Sequence, residues 1–235
     1  WVEPFGQKRD QIIAEALSVP FEIFEGETLQ PPGTLRTGKG TPFGVFTPFS
    51  KKFRSTAEIE STLSAPRKIP PLPPLPKTTQ SKIPTLEALG IQPNPKIQKG
   101  GEKAAKQRLK HYLKHAAAHY HEDRDRMDKP GTSRISADLK FGTLSIRTLW
   151  NAIHDHLPDG EAKRIYTNEL IWREFSHSTL WDRPEILEKC FKPKFENFPW
   201  SFNEDFWQAW TEGKTGYPVI DASARQLLQE GFVHN

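Results

Sequence analysis

The stretch Glu169-Leu170-Ile171-Trp172-Arg173-Glu174-Phe175 holds three side chains that together can grip a planar, charged ligand. At helical spacing of three and four, Glu169, Trp172, Arg173 and Ser176 share one helix face. An indole stacks on a flat ring, a carboxylate accepts N–H groups, and a guanidinium takes an anion. The plainer alternative is a buried tryptophan beside a surface ion pair. A second stretch, Gly131-Thr132-Ser133-Arg134-Ile135-Ser136, sits between two helical patterns. Ser136 is expected to cap the following helix. Free amides there, with the hydroxyls and Arg134, would make a cradle for phosphate or pyrophosphate. An ordinary capped turn is the alternative. The Gly-Lys-Ser/Thr end of a Walker A loop is absent.

Other candidates are weaker. Trp200, Trp207 and Trp210 crowd one stretch with Phe202 and Phe206 between them. Such residues serve either as core or, because indoles oxidise readily, as an electron relay. His111, His115 and His119 recur at helical spacing, but no HExxH occurs and no metal site is expected. No Gly-x-Ser-x-Gly elbow supports a serine hydrolase. Cys190 is the sole cysteine, which excludes an internal disulfide framework. The net charge of +4 over 235 residues permits a nucleic-acid partner without demanding one. No run of 18 apolar residues predicts a transmembrane helix.

The elements that must position these residues fall into three segments. Residues 1–50 carry a short helical pattern at Gln11–Leu17, an alternating strand pattern at Phe21–Phe24, and loops at Pro31-Pro32-Gly33 and Gly38-Lys39-Gly40. That order suits the tail end of an α/β domain. Pro48 fits the first turn of a new helix with Thr47 as its cap. Residues 51–100 hold nine of the 21 prolines and read as a linker, either a plain spacer or a docking site for a proline-binding module. Residues 101–235 read as helical throughout. Helices are expected from Lys103 to about Arg126 with Leu109, Leu113 and Ala117 on one stripe, then over Leu144–Leu157, Ala162–Leu180, Glu204–Glu212 and Val219–Glu230, the last closed by Gly231. The chain opens on Trp1 and has Met127 as its one methionine, so it is expected to be an internal fragment of a longer protein.

Taken in order, these motifs resemble the photolyase–cryptochrome family. The resemblance runs through Val45-Phe46-Thr47-Pro48-Phe49, Gly100-Gly101-Glu102 with Arg108-Leu109, Tyr120, Arg124-Asp125 and Gly131 to Ser136. It continues through Phe141-Gly142-Thr143-Leu144-Ser145, Glu169 to Phe175, Gly213-Lys214-Thr215-Gly216-Tyr217-Pro218 with Asp221 and Arg225, and Gly231 with His234-Asn235. It implies a mainly α fold, a helical FAD-binding domain truncated at its C-terminal side, preceded by the tail of an α/β Rossmann-like antenna domain. Met127, Ser223-Ala224 and Phe232-Val233 depart from the family pattern.

The resemblance also assigns roles. Tyr120 and Thr132, Ser133, Arg134, Ile135 and Ser136 would contact the flavin. Glu169 and Trp172 would recognise a damaged base pair, with Arg124, Arg173, Ser176 and Asn235 on the DNA side. Trp200 would be the outermost member of an electron-transfer chain. Glu169, Trp172 and Asn235 together resemble enzymes that split cyclobutane pyrimidine dimers. The implied function is light-dependent DNA repair by a lyase using reduced FAD, with a folate or deazaflavin as a second antenna chromophore. The implied partner is UV-damaged DNA, met by a monomer in a bacterial-like cytoplasm with no membrane attachment. A cryptochrome that binds FAD and repairs nothing is the alternative. The fragment alone is expected to be inactive.

Overall fold

A computed structural model of the chain describes residues 2–71, 74 and 83–234. Backbone contacts divide the chain into two units. One comprises residues 1–61 with 100–200, the other residues 62–99 with 201–235.

The first unit is built around α7 (Glu161–Asp182), a 22-residue helix against which α2 (Phe46–Thr56), α4 (Tyr120–Asp123) and α6 (Ile146–His156) pack. The sequence dictates these contacts. Phe46, Phe49 and Phe53 fall at spacings of three and four on α2, and Phe49 and Phe53 are 1% exposed. In α6 the buried positions are Ile146, Leu149 and Ile153, and the Ser145 side chain caps the helix by accepting from the Arg147 amide. Tyr166, Leu170 and Ile171 of α7 complete this core, with Leu109 and Tyr112 of α3 (Glu102–His115). Arg108 of α3 grips Asp138 of α5 (Ser136–Lys140) through Nε at 3.0 Å and Nη2 at 3.1 Å, and Thr143 Oγ1 donates to the same carboxylate at 2.9 Å. Helix α1 (Pro4–Ala16) covers the Gln11–Leu17 pattern up to Ala16, and Leu17 is its C-cap.

The structure corrects four local expectations. Phe21–Phe24 forms no strand, and no strand occurs among the described residues, so the expected α/β remnant contributes a helix and loops here. A strand needs a neighbouring edge for its amides, and nothing in this segment supplies one. The helix expected from Lys103 to Arg126 breaks at Ala116, where φ is −132°. It resumes as a 3₁₀ turn, Ala117–His119, and the short α4. The break turns both Ala117 and Tyr120 into the core. Val45, not Thr47, occupies the N-cap of α2, although Pro48 does lie in its first turn. Ser136 begins α5 rather than capping it, and the cap residue is Ile135.

In the second unit, α8 (Glu204–Thr211) is capped by Asn203, whose Oδ1 accepts from the Phe206 amide at 2.9 Å. The turn Gly213–Gly216 is stapled by Asp221 of α9 (Pro218–Glu230). Its carboxylate accepts from the Thr215 amide and hydroxyl, each at 2.7 Å, and from the Gly216 amide at 3.0 Å. Gly231 closes α9 at φ 63°, in the left-handed region, as its position predicts. No helix among the described residues is long and apolar enough to cross a membrane.

Candidate functional site

One flank of α7 presents Tyr166, Glu169, Leu170, Arg173 and His177 to a cavity of about 350 Å³. Ser133, Ile135, Ser136, Leu139 and Lys140 line it from the 131–140 segment, with Tyr120, Leu149 and Glu27 completing the wall. The 131–136 loop lies close against α4. A Cβ on Gly131 would sit 2.6 Å from Asp123 Cβ and 2.7 Å from the Asp123 carbonyl oxygen, so only glycine fits. Arg134 adopts φ 53°. A side-chain-bearing residue in that left-handed region costs about 1 kcal/mol, and such strain gathers at binding sites. It delivers Ile135 into the core and leaves Ser133 and Ser136 on the cavity wall.

The aromatic end of the cavity is a chain of phenols. The Tyr120 and Tyr166 rings meet edge-on at 4.9 Å, and Tyr112 lies 5.5 Å from Tyr166. Tyr166 donates its hydroxyl proton to Ser133 Oγ at 3.0 Å. Burial, and then the Glu169 carboxylate, push Tyr120 up to about 12. Burial raises Tyr112 and Tyr166 as well. All three phenols are therefore neutral at physiological pH.

The charged end is more finely arranged. Glu169 accepts from Arg124 Nη1 at 2.5 Å across the α4–α7 contact. Arg173 donates to the Glu27 carbonyl at 2.6 Å and lies 4.0 Å from the Glu27 carboxylate. His177 Nδ1 is buried without a hydrogen bond among the described residues. Burial, reinforced by Arg173, lowers this imidazole to about 4, so it is neutral. Lys140 and Arg173 give this end its positive charge. The arrangement offers cations and hydroxyls for an anionic ligand and apolar and aromatic walls for a flat one.

The expected site residues thus separate. Tyr120, Ser133, Ile135, Ser136, Glu169 and Arg173 line one cavity. Trp172 faces elsewhere: it stacks on Phe46 with centroids 3.6 Å apart and planes within 6°, and it remains 43% exposed. Ser176 is exposed, and its hydroxyl donates to the Trp172 carbonyl at 3.0 Å. Trp200 is 79% exposed, with Phe198 beside it at 4.7 Å. Thr132 and Arg134 belong to the same loop but are not among the residues lining the cavity. Asn235 lies outside the described residues.

Sequence reasoning missed Tyr166, Lys140, Glu27 and His177. Tyr166 and His177 extend the stripe 166, 169, 170, 173, 177, so helical spacing could have found them. Glu27 and Lys140 reach the cavity from distant segments, and no local pattern marks them.

Two family models match. Residues 166–235 match the FAD binding domain of DNA photolyase, and residues 1–76 match the DNA photolyase model. A deoxyribodipyrimidine photo-lyase of Thermus thermophilus is 37% identical over 237 residues, covering 99% of this chain and 50% of the relative. The enzyme of that name from Escherichia coli is 32% identical over 247 residues, covering 97% and 49%. Among solved structures, a bacterial class III photolyase from Agrobacterium tumefaciens superposes with a TM-score of 0.83 at 30% identity, over all of this chain and 50% of that one. A cryptochrome from Synechocystis superposes at 0.79 with 26% identity, over 90% of this chain and 46% of that one. The chain spans about half the length of the curated relatives it matches.

Proposed function

The chain belongs to the DNA photolyase family, and we propose that it serves light-dependent DNA repair, splitting cyclobutane pyrimidine dimers with reduced FAD as cofactor. The observation that carries this reading is the similarity, over 97–99% of this chain and 49–50% of each relative, to proteins named deoxyribodipyrimidine photo-lyase. We read residues 1–50 as the end of the antenna domain and residues 101–235 as the start of the flavin-binding one, a reading supported in part by the DNA photolyase model over residues 1–76 and the FAD-binding model over residues 166–235.

The residues present fit one portion of a flavin dinucleotide. A buried histidine nitrogen lacks a hydrogen bond, two cations line one end, and hydroxyls, phenols and aliphatic side chains line the rest. Lys140 and Arg173 would hold its phosphates, and Ser133, Ser136 and Tyr120 its sugars and adenine side. When bound, FAD supplies a light-driven electron to the lesion.

The remaining tasks belong to the chain. Ile135, Leu139, Leu149 and Leu170 exclude water from the cavity. Trp172, held flat against Phe46, offers its exposed part to a base taken out of the duplex. Glu169 would accept N–H groups of that base edge once Arg124 turns toward the DNA backbone. Ser176 borders the same helix face, and Asn235 is assigned to the DNA by the family pattern. Trp200 would pass electrons from the surface. DNA is the partner, met by a monomer inside the cell, where a lone exposed cysteine stays reduced.

The test uses a protein carrying this chain with its flavin reduced. Oligonucleotides bearing a cyclobutane thymine dimer or a (6-4) lesion are followed in blue light and in darkness. Light-dependent loss of the cyclobutane dimer alone is expected. Bound FAD with repair of neither lesion moves the reading to a cryptochrome.

A further inference from the structure

Glu174 faces the core of α7, where an aliphatic residue would be expected, yet it is a carboxylate only 2% exposed. Burying such a group costs several kcal/mol unless it is hydrogen-bonded. Its hydrogen-bond donors among the described residues both lie on one strap, residues 27–30. Glu174 Oε2 accepts from the amides of Leu29 at 2.9 Å and Gln30 at 3.1 Å. The neighbouring Arg173 takes the opposite polarity of the same strap by donating to the Glu27 carbonyl at 2.6 Å. Thr28 and Leu29 between them are fully buried.

We infer that Glu174 is a positioning residue, a latch that fastens the 27–30 strap to α7 so that the Glu27 carbonyl aims Arg173 into the cavity. Two adjacent, oppositely charged residues of one helix thus hold one strap at its amides and at its carbonyl. The latch is a buried carboxyl, so its protonation state matters. Burial pushes Glu174 up to about 7, against the pull of the two amides and of Arg173 and Arg147. The charged groups acting on it are Arg173 on α7 and Arg147 on α6, while Arg173 in turn lies 4.0 Å from Glu27 on the strap, which neutral His177 approaches to 4.0 Å. Its second oxygen lies 3.8 Å from Arg173 and has no hydrogen bond among the described residues. Releasing the strap returns the carboxyl to water, where it ionises near 4.5, so the latched form holds the proton more tightly and deprotonation favours opening. With the strap open, Arg173 loses its brace. Only the last link, Arg173 toward an anionic cofactor group, rests on the photolyase reading.

Hydrogen–deuterium exchange, read by mass spectrometry on the peptide spanning the strap, tests the latch without any cofactor. E174A is expected to raise exchange at the strap amides at least tenfold while α6 keeps its protection. E174Q, which retains an acceptor oxygen, restores most of that protection. As pH rises from 6 to 8, strap protection weakens in the unmodified chain and stays constant in E174Q. Unchanged strap exchange in E174A overturns the proposal, as does loss of protection in α6 and the strap together. Should E174A fail to fold, identical pH profiles for E174Q and the unmodified chain overturn it. A second readout is FAD retention in the protein that binds it, expected to fall several-fold in E174A. Full retention with an opened strap removes the positioning role. Failure of the protein to bind FAD at all would sink the photolyase reading and leave the exchange result standing.

Discussion

Trp172 shows how one residue can be both structural and exposed. Its indole lies flat on Phe46, with Phe175 edge-on at 5.8 Å, so the ring is fixed before any ligand arrives. Truncating it should leave the fold intact, because its outer part makes no core contact. Stacking a base on an aromatic ring contributes about 1–3 kcal/mol. W172A in a protein carrying this chain is therefore expected to weaken binding to dimer-containing DNA by roughly 5- to 150-fold and W172F by much less. Fluorescence anisotropy with damaged and undamaged duplexes checks this, and an equal loss on both duplexes would contradict lesion stacking. Glu174 and His177 make a second case, in proton balance. The folded chain holds Glu174 protonated up to about pH 7. The unfolded carboxylate releases its proton near 4.5, so this group makes stability fall as pH rises from about 4.5 to 7. His177, lowered to about 4 when folded, refuses a proton that the unfolded imidazole takes below about 6.5, so its contribution rises with pH between those values. Over about pH 4.5 to 6.5 the two oppose one another. E174Q removes the falling limb. Its stability relative to the unmodified chain should grow with pH from about 4.5 to 7, by up to about 1.4 kcal/mol per pH unit. Urea melts at several pH values measure it, and a pH-independent difference would mean that Glu174 stays ionised throughout.

At the scale of elements, the cavity exists because short pieces are clamped to long ones. Helix α5 has five residues and could not persist alone. Asp138, its buried carboxylate, is held by both forks of Arg108 on α3 and by Thr143. Removing one partner of such a pair leaves a charge with little solvent and typically costs about 3 kcal/mol. D138A is expected to lower stability by about that amount and to loosen the Ser133–Lys140 wall. Replacing both partners, as in R108M/D138L, should recover much of the loss, and chemical denaturation of the two variants decides it. These clamps also mark what was legible in the sequence. Helices α6, α7, α8 and α9 could be read within a few residues because apolar spacing, caps and the closing Gly231 act locally. The break at Ala116 could not, since Ala, His and Tyr all tolerate helix and the bend serves a distant contact, Tyr120 on Tyr166. The strand pattern at Phe21–Phe24 has the right alternation, but a strand is decided by its neighbour and the segment has none. Within the site, Glu169, Trp172 and Arg173 were found together because they are adjacent in sequence. Their division between a cavity and an exposed aromatic platform depends on Phe46 and Glu27, more than a hundred residues away.

For the molecule as a whole, the quantity that matters is how much of a cofactor this chain can enclose. The cavity measures about 350 Å³, at the low end for a small-molecule site. A flavin dinucleotide is larger than that, so these walls cover one portion of it. The chain matches only about half the length of its relatives, and the wall residues come from α7, the 131–140 segment, the 27–30 strap and single positions on α4 and α6. Affinity for an extended ligand comes from burying most of its surface, and a half-built site forfeits both contacts and the exclusion of water. The 235-residue chain by itself is accordingly expected to retain FAD poorly and to repair nothing. Purified, it should lose flavin absorbance in the blue on gel filtration, whereas a protein extending through the remaining half should keep it. Stoichiometric flavin on the isolated chain would mean that the Tyr120–Arg173 cavity supplies the dominant share of the binding energy. The unmatched half of the relatives would then serve the lesion rather than the cofactor.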